Sequence, residues 1–259
     1  MSTHPQLTKR QLREQRRAAR VADEQAEAAA TARRTRTWRL LAAAGLAVVA
    51  VAVAAAVSSS GGGPQAPAAP VAASALFAGI PERDGVVGDP DAPLTVTEYV
   101  DLQCPVCAAA SKETLPTLIE DYVRTGKVKL EARTLHFIGP DSVRAAAVAA
   151  GAEQQGKLWP FLEAFYSAQG QENSGYVTDA FLRDVAGAAG VDADAALAAA
   201  RTAPAQDRLN RANTDAQTLG IDSTPTFTVA RGDGRAKVLA SGAQDPQALA
   251  AALDQALAR

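Results

Sequence analysis

The chain has 259 residues, enough for one large domain or two modest ones, and its 47% hydrophobic content is sufficient to build a core. A formal net charge of −2 hides a split: residues 1–39 carry ten Lys/Arg against four Asp/Glu, and the remainder sixteen against twenty-four. The acidic body argues against nucleic acid as a partner, because phosphate binding needs a basic face, and a total of two cysteines, both in one motif, leaves no framework of disulfides.

Residues 1–39 hold Lys9, Arg10, Arg13, Arg16, Arg17 and Arg20, then Arg33, Arg34, Arg36 and Arg39, with no continuous apolar face. They read as a solvated cytoplasmic tail that fixes orientation; binding to anionic lipid headgroups is the alternative. Leu40 to Val57 is apolar and uncharged, with Trp38 at its edge. Eighteen residues of helix span about 27 Å, enough for a hydrocarbon core. A cleaved signal peptide or an internal helix are the competing readings; the 39-residue leading segment is long for the first, and the alanine content weakens insertion. The basic flank is placed inside by the positive-inside rule, so the C-terminal body lies outside. Residues 58–75, rich in Ser, Gly, Pro and Ala, form a flexible linker, and a folded domain is expected over 76–259.

In that domain Gly85-Val86-Val87-Gly88 reads as an edge strand and Asp89–Pro93 as a turn. Leu94–Val100 is β-branched and aromatic, as a strand should be. It runs straight into Asp101-Leu102-Gln103-Cys104-Pro105-Val106-Cys107, where both cysteines sit, and then into a helix-favouring alanine run. With Cys104 as N-cap and Pro105 as the first helical residue, the N–H groups of Val106 and Cys107 point back at the Cys104 sulfur. The positive end of the helix favours thiolate over thiol. Cys104 is the expected nucleophile, and Cys107, one turn on and facing inward, the group that resolves a mixed disulfide. Zinc would need two more ligands, and His4 and His136 stand on opposite sides of the apolar run. A haem attachment needs His after the second cysteine, where Ala108 stands. A purely structural disulfide is the remaining alternative, though one closed over two residues constrains little.

Helix continues to Gly126, with a kink or restart at Pro116, and Val128–Leu135 alternates as a second strand. Strand, helix and strand make a βαβ unit with a right-handed crossover. About 141–219 reads as almost pure helix, including Val143–Ala152, Lys157–Ala168, Thr178–Ala188 and Ala193–Arg201, the last capped by Asp192. Trp159, Phe161, Phe165, Tyr166 and Phe181 are expected to fill a small helical core of their own. The sheet resumes with Thr226–Ala230, a turn carrying Asp233-Gly234, and Arg235–Ser241, a hairpin. Pro246–Arg259 closes the chain as a helix with Leu249, Leu253 and Leu257 on one stripe.

A βαβ unit with CxxC at its first helix, a helical insertion and a βββα-like close resembles the thioredoxin fold, and more narrowly the DsbA-like thiol–disulfide oxidoreductases. The landmarks are Gly88–Pro93, Glu98–Asp101, Cys104–Cys107, Thr125–Val128, Gln155–Trp159 and Ser223–Thr226, in the right order across about residues 80–258. The resemblance implies that Thr224-Pro225 is a cis bond beside the cysteines, with Thr224 offering its backbone to an extended substrate. It also implies a buried acid at Glu98, raised in pKa and suited to passing a proton to or from Cys107; a surface glutamate is the alternative. Asp101 is a weaker candidate for that role, and His136 reads as a structural residue at a strand end. Between the cysteines, Pro105 matches the family prototype, but Val106 replaces its histidine. Valine cannot donate a hydrogen bond to the thiolate, so a Cys104 pKa above the ~3.5 of DsbA and a less oxidising couple are expected.

The class implied is therefore α/β, a thioredoxin fold preceded by one transmembrane helix and a linker, on the outer face of a bacterial plasma membrane. The implied role is oxidation of thiols in exported or cell-surface proteins, with a membrane quinone-linked partner restoring the disulfide. The protein is expected to act as a monomer, with no cofactor or metal. A reductase or isomerase using the same cysteines, and a non-catalytic peptide-binding module, are the rival readings.

Overall fold

The computed structural model describes residues 68–72, 75–242 and 245–259. The basic segment 1–39, the apolar run 40–57 and most of the linker lie outside the described residues. Among those described, no helix is long and apolar enough to cross a membrane.

The strand that carries the motif is the centre of the sheet. β3 (Leu94–Asp101) is buried at seven of its eight positions, because it is paired on both edges and covered on both faces. β4 (Val128–Leu135) runs parallel to it on one side, with Asp101 opposite Leu135. β5 (Thr226–Arg231) runs antiparallel on the other, with Tyr99 opposite Thr226. Outside β4 lie β2 (Val86–Val87) and β1 (Glu82–Arg83), and outside β5 lies β6 (Lys237–Ser241). The order is β1-β2-β4-β3-β5-β6. The Gly85–Gly88 strand is thus second from the edge, because the two residues of β1 fold back on it across a turn at Asp84 and Gly85, both at positive φ. The close is ββα rather than βββα: the β5–β6 hairpin, with an irregularity at Phe227/Thr228, leads to the closing helix Pro246–Leu257.

Between β3 and β4 the crossover is α1 (Pro105–Glu113), α2 (Leu115–Leu118) and a π turn at Ile119–Val123. The break falls at Thr114, where Pro116 can supply no N–H to continue the ladder. Five helices form the insertion: α3 (Pro140–Glu153), α4 (Leu158–Ser167), α5 (Asp179–Ala188), α6 (Ala193–Ala199) and α7 (Ala203–Leu219). Asp192 caps α6 through the Ala195 N–H. Gly151 lets α3 approach α6 closely, since a Cβ there would lie 2.4 Å from the Ala196 carbonyl oxygen. α7 is the long helix that the sequence pattern did not delimit; its apolar contacts are mostly alanines, and it ends at Gly220 in the left-handed region.

The insertion aromatics do not form a separate core. Trp159, Phe161, Phe165, Tyr166 and Phe181 belong to one continuous buried cluster with Val96, Val100, Leu130 and Phe227 of the sheet. Phe165 meets Phe181 edge-on at 5.3 Å, and Trp159 stacks on Phe77 at 5.3 Å. The insertion therefore packs as a layer on the sheet, directly over the end where the cysteines emerge.

Candidate active site

The C-terminal ends of β3 and β4 and the approach to β5 meet at one end of the sheet, which brings together three chain segments distant in sequence. Cys104 is the N-cap of α1, with φ −74 and ψ 116, and Pro105 opens the helix. Its Sγ accepts a hydrogen bond from the Cys107 N–H at 3.4 Å. The Cys104 thiol in turn donates to the Thr224 carbonyl oxygen at 3.3 Å, and Thr224–Pro225 is a cis peptide. Both cysteines are free thiols here.

Their electrostatics differ. The Cys104 pKa is lowered to about 6, chiefly by a hydrogen bond from the Cys107 side chain. Burial opposes this; hydrogen bonding from the Thr224 side chain and from the backbone N–H groups of Cys107 and Val106 adds to it. Cys107, 0% exposed, is pushed well above the ordinary thiol range, first by burial, then by the hydrogen bond it gives to Cys104 and by the charges of Cys104 and Glu98. Val106 contributes its N–H, while its side chain packs against the core and donates nothing.

Two carboxyl groups lie beneath. Glu98, 2% exposed in the middle of β3, is raised to about 8 by burial, with no hydrogen bond to offset it. Asp101, 0% exposed, accepts hydrogen bonds from the Gln103 N–H (2.9 Å), the Ser142 hydroxyl (2.6 Å) and the Ile138 N–H (3.2 Å). Burial raises its pKa and these donors pull it down. Three donors suit an acceptor-only carboxylate, so Asp101 reads as a fixture of the loop. His136 follows β4 and receives the Asn213 amide at 2.7 Å, a contact between β4 and α7. Among the described residues no group of three or more His, Cys, Asp or Glu is arranged to hold a metal.

The structure thus gathers Cys104, Pro105, Val106, Cys107, Thr224 and Pro225 at one point, with Glu98 below. Sequence reasoning missed the polar shell around the loop: Ser142, Gln169, Asn173 and Tyr176. These come from the insertion, and only Gln103, adjacent to Cys104 and buried, could have hinted at a partner.

A family model described as thioredoxin matches residues 82–255. The probable disulfide bond formation protein D of Bacillus anthracis is 34% identical over 101 residues, 38% of this chain and 46% of that protein. The matched stretch therefore spans about half the length of that curated relative. A thioredoxin-like oxidoreductase from Silicibacter pomeroyi is 27% identical with a TM-score of 0.55, covering 67% of this chain and 92% of the other. Oxidised BdbD from Bacillus subtilis shares the fold at a TM-score of 0.60 and 22% identity, over 74% of this chain and all of that one.

Proposed function

The chain belongs to the thioredoxin family, and from that membership and the geometry of its cysteine pair we propose that it is a thiol–disulfide oxidoreductase that oxidises the thiols of exported proteins. The observation that carries the reading is the Cys104 thiol capped by helix N–H groups at a pKa of about 6, one turn from a buried partner held protonated. The relatives named for disulfide bond formation support the oxidising direction.

The reaction starts from the Cys104–Cys107 disulfide. A substrate thiolate attacks the Cys104 sulfur; the new S–S bond forms as the Cys104–Cys107 bond breaks, and Cys107 leaves as a thiolate. Cys107 has a high proton affinity, so it takes a proton at once. Glu98, still protonated at neutral pH and near enough for its charge to act on Cys107, supplies it and is refilled from solvent. A second substrate thiolate then attacks the substrate sulfur of the mixed disulfide, and Cys104 departs as the thiolate that its cap stabilises. Two electrons have moved from substrate to enzyme. Thr224 lies against Cys104, and in this reading its backbone pairs with an extended substrate segment.

The low pKa of Cys104 favours the dithiol form and so makes the disulfide oxidising. A value of about 6 falls between the ~7 of thioredoxin and the ~3.5 of DsbA. The couple should accordingly fall between roughly −270 and −120 mV. In this reading residues 40–57 anchor the domain to a bacterial plasma membrane, residues 1–39 stay in the cytoplasm, and a membrane quinone-linked partner withdraws the electrons.

Equilibration against glutathione tests the direction. A potential clearly above that of thioredoxin supports the oxidase, and one near or below roughly −270 mV returns the reductase reading. A Cys107→Ser variant tests the chemistry: it should accumulate mixed disulfides through Cys104 with exported proteins, and an inert binding module would accumulate none.

A further inference from the structure

The four residues from Asp101 to Cys104 join β3 to α1, and the side chains that hold them come almost entirely from the helical insertion. Gln169, just past α4, donates its amide to two carbonyls of this loop, Leu102 at 2.7 Å and Cys104 at 3.1 Å. The Tyr166 hydroxyl donates to the Asp101 carbonyl at 3.4 Å. Gln103, 1% exposed, is held at both ends of its own amide: it donates to the Tyr176 hydroxyl at 3.1 Å and accepts from the Asn173 N–H at 2.8 Å. The 169–176 segment is folded tightly enough to do this because Gly170 lies under the Tyr176 ring, where a Cβ would come within 2.9 Å.

One of these contacts falls where it matters to the sulfur. The Cys104 carbonyl is the first acceptor of α1, taking the Ala108 N–H at 3.2 Å, and the same oxygen is gripped by Gln169. Fixing that oxygen fixes where the helix starts, and with it the aim of the Val106 and Cys107 N–H groups at the Cys104 sulfur. A neutral amide adds no net charge to the site, so its influence is exerted through position.

We propose that Gln169, acting alongside the Asn173 and Tyr176 contacts that hold Gln103 of the same loop, is a positioning residue of the redox site, through which the insertion sets the nucleophilicity of Cys104. The inference rests on the redox reading above. It predicts that the insertion can retune the thiol without any contact to substrate.

The test uses the reduced full-length protein with Gln169→Ala and the nearly isosteric Gln169→Met, which retains bulk but lacks the donor. Thiolate is followed by absorbance at 240 nm across pH and by iodoacetamide alkylation at pH 6. Both variants should move the Cys104 midpoint up by about one unit and slow alkylation about fivefold. Tyr176→Phe, which removes one brace on Gln103, should shift it less in the same direction. Arg208→Gln breaks ion pairs to Glu153 and Glu131 that tie α7 to its neighbours, and serves as the stability control: it should lower Tm and leave the thiol titration in place. A folded Gln169→Met protein titrating within about 0.2 unit of wild type overturns the proposal. So does a Tyr176→Phe titration indistinguishable from wild type, should the Gln169 variants fail to fold. Failure of Cys107→Ser to trap partners would remove the redox reading instead and leave the titration result standing.

Discussion

At the mouth of the site Cys104 meets backbone N–H groups, the S–H that Cys107 donates and the Thr224 side chain, while at the floor, one turn deeper, Cys107 meets apolar surroundings and the neighbourhood of Glu98. The same side chain on the same helix is driven in opposite directions: toward thiolate at the mouth and toward thiol at the floor. The carboxyl groups of β3 repeat the lesson. Asp101 and Glu98 are both buried, but three donors surround one and none the other. Burial sets the cost of charge, and the count of donors decides whether the protein meets it with hydrogen bonds or by keeping the group neutral.

The largest break in this contrast is at the sulfurs. Cys104→Ser should reduce exchange with a peptide dithiol by about three orders of magnitude or more, since a hydroxyl at the mouth cannot replace the thiolate. Cys107→Ser should still react once and then stall as the mixed disulfide, visible by mass spectrometry.

Next in size is the staple under the loop. Asp101→Ala leaves the Gln103 and Ile138 N–H groups and the Ser142 hydroxyl without their acceptor, and a loss of about 3 kcal/mol or more in denaturant unfolding is expected. An Asp101→Ala protein as stable as wild type would show that the loop is held elsewhere.

A comparable effect should appear in the pH dependence, with opposite signs at mouth and floor. Glu98 has a folded pKa of about 8 against an ordinary 4.5, so its contribution is fully present below about 4.5 and is lost as pH rises through about 8. The loss is on the order of 5 kcal/mol, and Glu98→Gln should flatten it. Cys104 is lowered from 9.0 to about 6, so in the reduced protein its contribution is present above about 9 and fades as pH falls through about 6. The oxidised protein lacks this second dependence. Denaturation of both redox forms between pH 5 and 9 separates the two.

The smallest expected change sharpens the mouth alone. Val106→His adds a donor beside the sulfur and should lower the Cys104 midpoint by about one unit, read from absorbance at 240 nm.

Much of this was legible in the chain because the motif is local. Strand, cap, proline and helix follow one another within Leu94–Glu113, and each is dictated by neighbours in sequence. Pro116 announced the helix restart, and Asp192 its cap. What resisted reading was non-local. β1 is two residues long and exists only because β2 is already paired to β4. α7 packs through alanines, which give little periodic signal. The insertion aromatics looked like a core of their own because nothing in their spacing says that the sheet lies beneath them. The structural anchoring by Asp101 was hidden for the same reason: two of its donors, Ser142 and Ile138, are some forty residues away.

The most direct measurement is the ionisation of the Cys104 thiol in the reduced full-length protein, followed by thiolate absorbance with Cys107→Ser as the assignment control. A wild-type midpoint near pH 6, with no second thiol ionising below pH 9, is the result expected of a Cys104 sulfur that accepts the Cys107 S–H together with the N–H groups of the helix cap. A midpoint near the ~8.5 of free cysteine would contradict it.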